Sequence, residues 1–420
     1  MASITQIDEL VPGTSLHALR PLSHIGLEMF GVLLPPLIET LQAPAFEEDA
    51  LILQLGGAAP LATKGTTRWT NSSGGDWATA ANWSPAEVPG QSASVVFGLD
   101  ASYNVQVGTQ QAGRVEVTDG SVGFNGAQLT LTGPLQVGND ADLVIPDGSV
   151  SAGEITIGSL PPPNPAQPPL ARLAVSNPAT TLTTGGPLRV GVAGDGQLDL
   201  NGGAKATSAE ARLGDGAPGA ANVRDANTLW TTGSLAVGHS VTGTLMIERG
   251  GHVVSRDAVV GLGTAPARHP GVVTVAGISG TTTSLWEVFG LLTIGSALPG
   301  QLTVSSGGSA GANSLQAGLQ RPVAGDSAQI EVSGTGPAAD QPSTLILLND
   351  ALLGMGDGAS VVMRVVDGGT FAPGGDLQLA HEAGSTATLD VSGVNGNGAR
   401  STVEVGVGQS GGACNVGIFA

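Results

Sequence analysis

The fold depends on the segment 235–261, which reads Leu-Ala-Val-Gly (235–238), then Gly-Thr-Leu-Met-Ile-Glu-Arg-Gly-Gly (243–251), then Asp-Ala-Val-Val-Gly (257–261). Apolar residues alternate with polar or small ones in each run, which is the period of a half-buried β-strand. Glycine closes each run, as expected where the chain turns with a positive φ. The segment therefore predicts three short strands separated by tight turns.

The same segment recurs on both sides. The upstream copy occupies 188–191, 196–203 and 211–214, and the downstream copy occupies 292–295, 300–308 and 315–318. The interval between the first and last glycines is identical in the three copies, from 191 to 214, from 238 to 261 and from 295 to 318. Internal repetition at a constant spacing is typical of solenoid proteins.

Stacked repeats of this kind predict an all-β fold, a parallel β-helix, in which one such glycine-to-glycine interval forms one coil. Alternation directs Leu245 and Ile247 toward the interior and Thr244 and Met246 toward the outside. Repeat starts at 138, 191, 238, 295, 354 and 406 predict two coils per repeat plus a variable loop, or roughly twelve coils in total. A β-sandwich array is the main alternative, but its strands run longer and its turns need no constant spacing.

Composition excludes several other classes of protein. Charged residues make up 12% and apolar residues 41% of the 420 residues, which is too apolar for a disordered chain. The net charge of −19 and the lack of a basic patch argue against nucleic-acid binding. The single cysteine, Cys414, excludes an intramolecular disulfide framework and a cysteine-based zinc site.

Three regions are predicted along the chain: an N-terminal segment (1–60), a tryptophan-containing cap (61–104) and the repeat domain (105–420). The N-terminal segment is either a long, atypical export signal or a short segment that docks on or caps the molecule. No run of about 18 unbroken apolar residues is present, so we expect no transmembrane segment.

Two stretches interrupt the strand pattern. Trp69, Trp77 and Trp83 cluster before the repeats, and they predict a cap over the first strand edge or, less favourably, a platform for carbohydrate. The proline-rich stretch 159–170 cannot pair inside a sheet. We interpret it as a loop that leaves the stack, because the strand pattern resumes at Leu173.

The repeats resemble those of bacterial autotransporter passenger domains. The resemblance lies in the units Leu-x-Val-Gly and Gly-x-Leu-x-Ile-x-x-Gly-Gly, in the stretch 271–277 leading to Ser284-Leu285-Trp286, and in 228–231 followed by 235–238. The tryptophans at 69–83 are similar to the N-terminal repeat region of such proteins. The resemblance covers roughly residues 66–406 and implies a right-handed parallel β-helix outside the cell. It leaves function open, since passenger domains include adhesins, structural stalks and enzymes.

Motifs for catalysis are weak. Gly-x-Ser-x-Gly patterns occur at 307–311 and 408–412, and a dinucleotide-like pattern occurs at 214–219, but no helix is predicted after them. Asp140 and Asp142 could bind calcium, yet the nine-residue calcium repeat is absent. His381-Glu382 lacks the second histidine of a zinc protease. The sequence therefore assigns no catalytic, cofactor-binding or metal-binding residue.

Acidic residues are spread singly along the repeats, which predicts solvated positions on the outer faces; the main ones are Asp199, Glu248, Asp257, Glu287, Glu331 and Asp390. This distribution favours a non-enzymatic extracellular or cell-surface protein that acts in adhesion or structural assembly. Cell-surface or polysaccharide ligands, self-association and a homo-oligomer are the partners expected. A phage tail-spike or virion fibre component, or a polysaccharide lyase or hydrolase, is the alternative.

Overall fold

Equivalent strands of successive coils pair in parallel in this computed structural model, which describes residues 65–138, 140–160, 170–263, 270–320, 327–337, 341–396, 398–406 and 417–418. Gly243–Glu248, for example, pairs in register with Gly219–Arg224 on one side and Gly271–Ala276 on the other. One long sheet winds around one buried interior. The predicted class, a parallel β-helix, is confirmed, and the sandwich array is excluded.

Each coil has three faces, which the chain visits in the order first, second, third. The first face consists of Gly75–Asp76, Ala141–Ile145, Ala171–Ser176, Gly196–Asn201, Gly219–Arg224, Gly243–Glu248, Gly271–Ala276, Gly300–Ser305, Ala328–Ser333, Ser360–Val366 and Thr386–Ser392. The second face includes Thr109–Ala112, Ala127–Leu131, Gly148–Ala152, Thr181–Thr184, Thr344–Leu347, Thr370–Pro373 and Thr402–Val403. The third face includes Thr67–Trp69, Pro134–Val137, Glu154–Ile157, Pro187–Val190, Ala351–Leu353, Leu377–Leu379 and Gly417–Ile418.

Seven longer strands turn a corner and serve two faces. Those that join the second face to the third are Lys205–Leu213, Leu229–Val237, His252–Val260, Leu285–Ile294 and Ser309–Ala317. Ser94–Gln106 and Arg114–Asn125 join the third face to the first. The remaining elements are Trp83–Ser84, the antiparallel pair Ile278–Ser279 and Thr282–Thr283, and a 3₁₀ turn at Ala80–Asn82.

Columns of aliphatic side chains fill the interior. The third face contributes a column in which every side chain is at most 2% exposed; its members are Val115, Leu135, Ile155, Leu188, Ala211, Leu235, Ala258, Leu292, Leu315, Ala351 and Leu377. On the first face Leu245 and Ile247 are buried, while Thr244 and Met246 are partly exposed. The predicted orientation of these four residues is confirmed.

A glycine follows the third-face strand in successive coils, and this column explains the constant spacing. Gly214 N donates to Val190 O (2.9 Å), and Gly238 N donates to Leu213 O (3.0 Å), so each glycine closes the coil that the glycine before it began. Gly214 has a φ of +74°, and a Cβ on it would lie 2.6 Å from Thr242 O. Only glycine fits this corner without strain.

The position predicted as a sixth repeat start differs from the others. Gly406 N donates to Pro373 O (2.9 Å), so Gly406 follows the second face instead of the third. At the third-face corner of this part of the chain stands Ala380, with a φ of +54°. The motif Val-Glu-Val-Gly at 403–406 therefore belongs to a different corner, because the alternation of short strands does not distinguish one face from the next.

The paired glycines of the repeat form the corner between the first and second faces. Gly250 has a φ of +86°, whereas a Cβ on Gly251 would overlap Val223 O. Gly250 N also donates to Ser284 Oγ of the next coil (2.9 Å). Equivalent hydroxyl contacts are made by Thr228, Ser343 and Ser401, so a side-chain hydroxyl links neighbouring coils at this corner.

The three N-terminal tryptophans pack inside the first coils. Trp69, Trp77 and Trp83 are at most 2% exposed, and the Trp69 and Trp83 rings meet edge to face at 4.9 Å. Phe97 packs against all three rings. Trp83–Ser84 pairs antiparallel with Thr67–Trp69 and covers its outer edge. These tryptophans expose no ring face, so the carbohydrate platform is wrong for this cluster.

The sheet continues across the proline-rich stretch. Ala171–Ser176, directly after it, pairs with Ala141–Ile145 before it and with Gly196–Asn201 after it. Residues 161–169 of the predicted loop lie outside the described residues, as do the whole N-terminal segment 1–60 and Cys414. In the described ranges, no helix has the length and apolar character needed to cross a membrane.

Ile247→Asp should lower the free energy of unfolding by at least about 4 kcal/mol, because it places an unpaired carboxylate in an aliphatic column. Met246→Asp, one residue away and facing outward, is the matched control and should cost less than about 1 kcal/mol. Urea unfolding followed by far-UV circular dichroism measures both. Equal stability of the two variants would contradict the register.

Candidate functional site

The six prominent acids do not share one groove. Asp199, Glu248, Glu331 and Asp390 lie on first-face strands, whereas Glu287 is on the second face and Asp257 on the third. Asp199 and Glu331 occupy equivalent positions five coils apart, or about 24 Å along the stack. This spread does not match the paired carboxylates of glycoside hydrolases, which lie within roughly 10 Å of each other.

Asp199 is buried, which corrects the prediction that it is solvated. Its carboxylate accepts a hydrogen bond from Arg172 Nε (2.6 Å), two from Gln197 Nε2 (3.0 and 2.9 Å) and one from Asn222 Nδ2 (2.7 Å). Arg224 approaches to 3.5 Å. The alternation rule places a side chain outside the coil but does not say what covers it, and here side chains of three coils enclose it.

Hydrogen bonds decide the protonation of Asp199. Burial alone would raise its pKa, but the bonds from Asn222, Gln197 and Arg172, together with the Arg172 charge, outweigh burial and hold the pKa below its usual value. The Asp199 carboxylate is ionised and already accepts four hydrogen bonds, so its role is structural. It has no hydrogen-bonding capacity left to act as a general base on a substrate.

A second polar cluster lies at the corner between the third and first faces. Asp215 contacts His239 Nδ1 (2.7 Å), Arg189 Nε (3.6 Å) and Arg212 (3.9 Å). Arg212 Nε also donates to Glu210 (2.6 Å). Burial lowers the pKa of His239 below its usual value; Asp215 opposes this shift and Arg212 adds to it. His239 is therefore neutral at neutral pH.

An aspartate bound to a histidine occurs in nucleophilic catalysis, but the third member is missing here. Ser240 Oγ lies 3.1 Å from Nδ1, the same nitrogen that faces Asp215. In a catalytic triad the serine lies at the opposite nitrogen. Among the described residues, no hydroxyl is hydrogen-bonded to His239 Nε2, so the cluster is best explained as an ion-pair network that joins neighbouring coils.

A shallow groove of about 170 Å³ lies farther along the first face. Its polar wall consists of Gln301, Thr303, Gln329, Glu331 and Arg364. Glu331 and Arg364 are paired positions of adjacent coils. Carboxylate, guanidinium, amide and hydroxyl groups together suit a sugar residue, but no aromatic side chain lines the groove for stacking.

The second face has a different character from the other two. Its outward positions from Ala127 to Ala372 are Gln128, Thr130, Ser149, Ser151, Thr181, Thr183, Lys205, Thr207, Leu229, Thr231, His252, Val254, Leu285, Glu287, Ser309, Gly311, Thr344, Ile346, Thr370 and Ala372. Over this described stretch only Lys205 and Glu287 carry a full charge, and His252 Nε2 bonds Glu287 (2.7 Å). The face is a band of hydroxyl and aliphatic groups along the stack.

The weak motifs of the sequence lie at structural positions. Ser309 is at the start of a strand, and its hydroxyl is 2.8 Å from Thr344 Oγ1. The stretch 214–219 is a corner of the coil. Asp142 pairs with Arg172 (3.3 Å), and His381 Nδ1 lies 2.7 Å from Gln378 Oε1. The stretch 408–412 lies outside the described residues. Within the described ranges, no three His, Cys, Asp or Glu side chains are placed to hold a metal.

The Asp215–His239 pair and the groove were not predicted from the sequence, although a signal exists for each. Asp215 and His239 each follow a corner glycine, so equivalent corners of adjacent coils bring them together. Glu331 and Arg364 occupy the same position in consecutive first-face strands. An alignment of the coils on their corner positions, instead of on the apolar alternation, would have predicted both the Asp215–His239 pair and the groove.

Asp199→Asn should lower the free energy of unfolding at pH 7 by about 1–3 kcal/mol, because Arg172 loses its closest carboxylate. The folded pKa of Asp199 is below its unfolded value. Its stabilisation is therefore complete above the ordinary pKa of about 3.9 and is lost as the pH falls through the folded pKa. Urea unfolding at several pH values should show the difference from wild type shrinking below about pH 4.

The exposed Asp390 provides the control for this experiment. Asp390→Asn makes the same chemical change where no hydrogen-bonded network depends on it, so its effect should stay within about 0.5 kcal/mol. If the two amide variants lose the same stability, Asp199 has no special structural role.

Comparison with known proteins identifies no relative. No family model matches the sequence, no characterised protein matches it, and no solved structure matches the fold closely enough to report. The resemblance to passenger-domain repeats therefore rests on the repeat residues themselves and stays a prediction.

Proposed function

We propose that this protein is a non-enzymatic β-helix that works outside the cell, on a cell surface or in a virion fibre, in adhesion or structural assembly. The observation that carries the proposal is the second face, a long band of hydroxyl and aliphatic side chains with few charges. A surface of this kind suits broad contact with a polysaccharide, with another surface or with a second copy better than it suits a deep pocket.

The use of the charged groups supports the same proposal. Asp199 on the first face and Asp215 at the corner between the third and first faces are held in networks between coils. Groups already engaged in this way stabilise the stack and are not free to take part in proton transfer. The second face is left as the surface available for extended contact.

To test the proposal, the purified chain is incubated with a panel of neutral and acidic polysaccharides, such as cellulose, chitin, pectin and alginate. We expect retention on one or more of them with no release of reducing ends or unsaturated products. Thr207→Asp with Thr231→Asp, which adds two carboxylates to the second face, should weaken retention by about tenfold or more. Thr244→Asp with Thr274→Asp, on the first face, is the matched control.

A polysaccharide lyase or hydrolase is the second candidate, and the groove beside Glu331 and Arg364 is the observation that favours it. Turnover that disappears in Glu331→Gln, with folding unchanged, would replace the adhesion proposal with this one. Turnover that survives in Glu331→Gln would point to a different site and would also end the non-enzymatic proposal.

A further inference from the structure

We infer that the second face binds an extended, neutral, β-1,4-linked polysaccharide along one row of hydroxyl groups, an inference that deepens the proposed function and rests on it. This hydroxyl row consists of Thr130, Ser151, Thr183, Thr207 and Thr231. The five side chains point outward from five consecutive coils, and each is exposed or partly exposed. The row therefore presents one hydroxyl per coil to the solvent.

The register between coils aligns the hydroxyl row. Ser151 pairs with Thr130 on one side and with Thr183 on the other. Thr207 pairs in the same way with Thr183 and Thr231. Equivalent positions of adjacent parallel strands lie about 4.8 Å apart, so the five side chains form a line of about 19 Å along the stack.

The hydroxyl groups of the row are not used within the chain. Among the described residues, none of the five hydroxyls has a hydrogen-bond partner. Farther along the second face, stacked hydroxyls bond each other instead: Ser309 Oγ lies 2.8 Å from Thr344 Oγ1, and Thr370 Oγ1 lies 3.0 Å from Thr402 Oγ1. The hydroxyl row therefore keeps its donors and acceptors for a ligand.

The core beneath the row holds it in place. Each row residue directly follows a buried core residue along its strand; these residues are Leu129, Val150, Leu182, Ala206 and Trp230, and they are at most 2% exposed. Pairing on both sides and burial of the neighbouring side chain fix the backbone of the row. A ligand therefore binds without the entropic cost of ordering this part of the chain.

The interval between the hydroxyls indicates the shape of the ligand. The sugars of an extended β-1,4-linked chain repeat at nearly the same interval as stacked strands, so each sugar meets one residue of the row. A sugar hydroxyl both donates and accepts hydrogen bonds, as the hydroxyls of serine and threonine do. The threonine methyl group packs against the C–H groups of the sugar ring. An α-linked chain coils and leaves the line of the row.

Charge indicates a neutral polymer. The net charge of the protein is −19, which repels a polyanion. Lys205, two residues before Thr207 on the same strand, is a single positive charge and does not offset this repulsion. The position that follows Thr231 is Val254, and the next is Glu287, so the line of uncharged side chains ends at a carboxylate.

Isothermal titration calorimetry of the full chain with cello-oligosaccharides tests the inference. From cellobiose to cellopentaose, each added sugar should lower the dissociation constant about threefold to tenfold, because it reaches one more hydroxyl of the row. The step from cellopentaose to cellohexaose should change it little. Maltohexaose, which joins the same sugars by α-linkages, is the matched ligand control and should bind at least about tenfold more weakly than cellohexaose.

Thr183→Val with Thr207→Val removes two hydroxyls of the row and keeps the shape of both side chains. This double variant should raise the dissociation constant of cellohexaose about tenfold or more. Thr244→Val with Thr274→Val makes the same change on the first face and should leave that constant unchanged. Thermal melting should show wild-type folding of both variants, because all four side chains point outward.

The outcomes separate this inference from the proposed function. A dissociation constant that is the same for every chain length, or a Thr183→Val and Thr207→Val variant that binds like wild type, overturns the inference alone. A wild-type chain that is retained on acidic polysaccharides and binds no cello-oligosaccharide has the same consequence. Cleavage of the cello-oligosaccharides overturns the non-enzymatic function, whereas the length dependence and the valine variants still decide the role of the hydroxyl row.

Discussion

The hydrogen bonds between coils are the constraint on which the rest of the structure depends. A strand such as Gly243–Glu248 finds its backbone partners only in the coils before and after it. Each coil must therefore place its strands in the same register as its neighbours, or the buried backbone groups lose their partners. Extra residues can be added at corners, which is where the antiparallel pair Ile278–Ser279 and Thr282–Thr283 lies.

The interior and the coil length could be predicted because both leave a periodic trace in the sequence. Alternation at 243–248 orients Leu245 and Ile247 inward, and the constant interval between Gly191 and Gly214 gives the length of a coil. Gly406 was misplaced because a short strand followed by glycine can close any of the three corners.

The environment of outward side chains could not be predicted in the same way. Asp199 is on the outside of the coil, yet it is enclosed by Arg172 from the preceding coil and by Asn222 from the following one. Asp215 and His239 meet only because two corners stack. The side chains that meet between adjacent coils depend on the register of those coils, and that register cannot be read from a single sequence. Long side chains such as arginine also extend from one coil to the next, and they bury a carboxylate that alternation alone predicts to be solvated.

The three faces differ in the charges of their outward side chains. The first and third faces hold most of the outward charges, and many of these link one coil to the next. The second face holds few charges and includes Phe289, Ile346 and Leu348 at or beside its margin. The charged contacts between coils are therefore concentrated on the first and third faces, whereas the second face presents mainly hydroxyl and aliphatic side chains.

The corner glycines also bear on how such a chain can change in length. A segment that begins at Gly191 and ends at Gly238 contains two complete coils, with the same corner geometry at each end. Its last coil stacks on the coil that follows it, and its first coil stacks on the coil that precedes it. Duplication or loss of such a unit would therefore keep the same corner geometry at every junction in the stack. The gene for such a protein can lengthen or shorten it by whole coils without a change in the backbone pairing between coils.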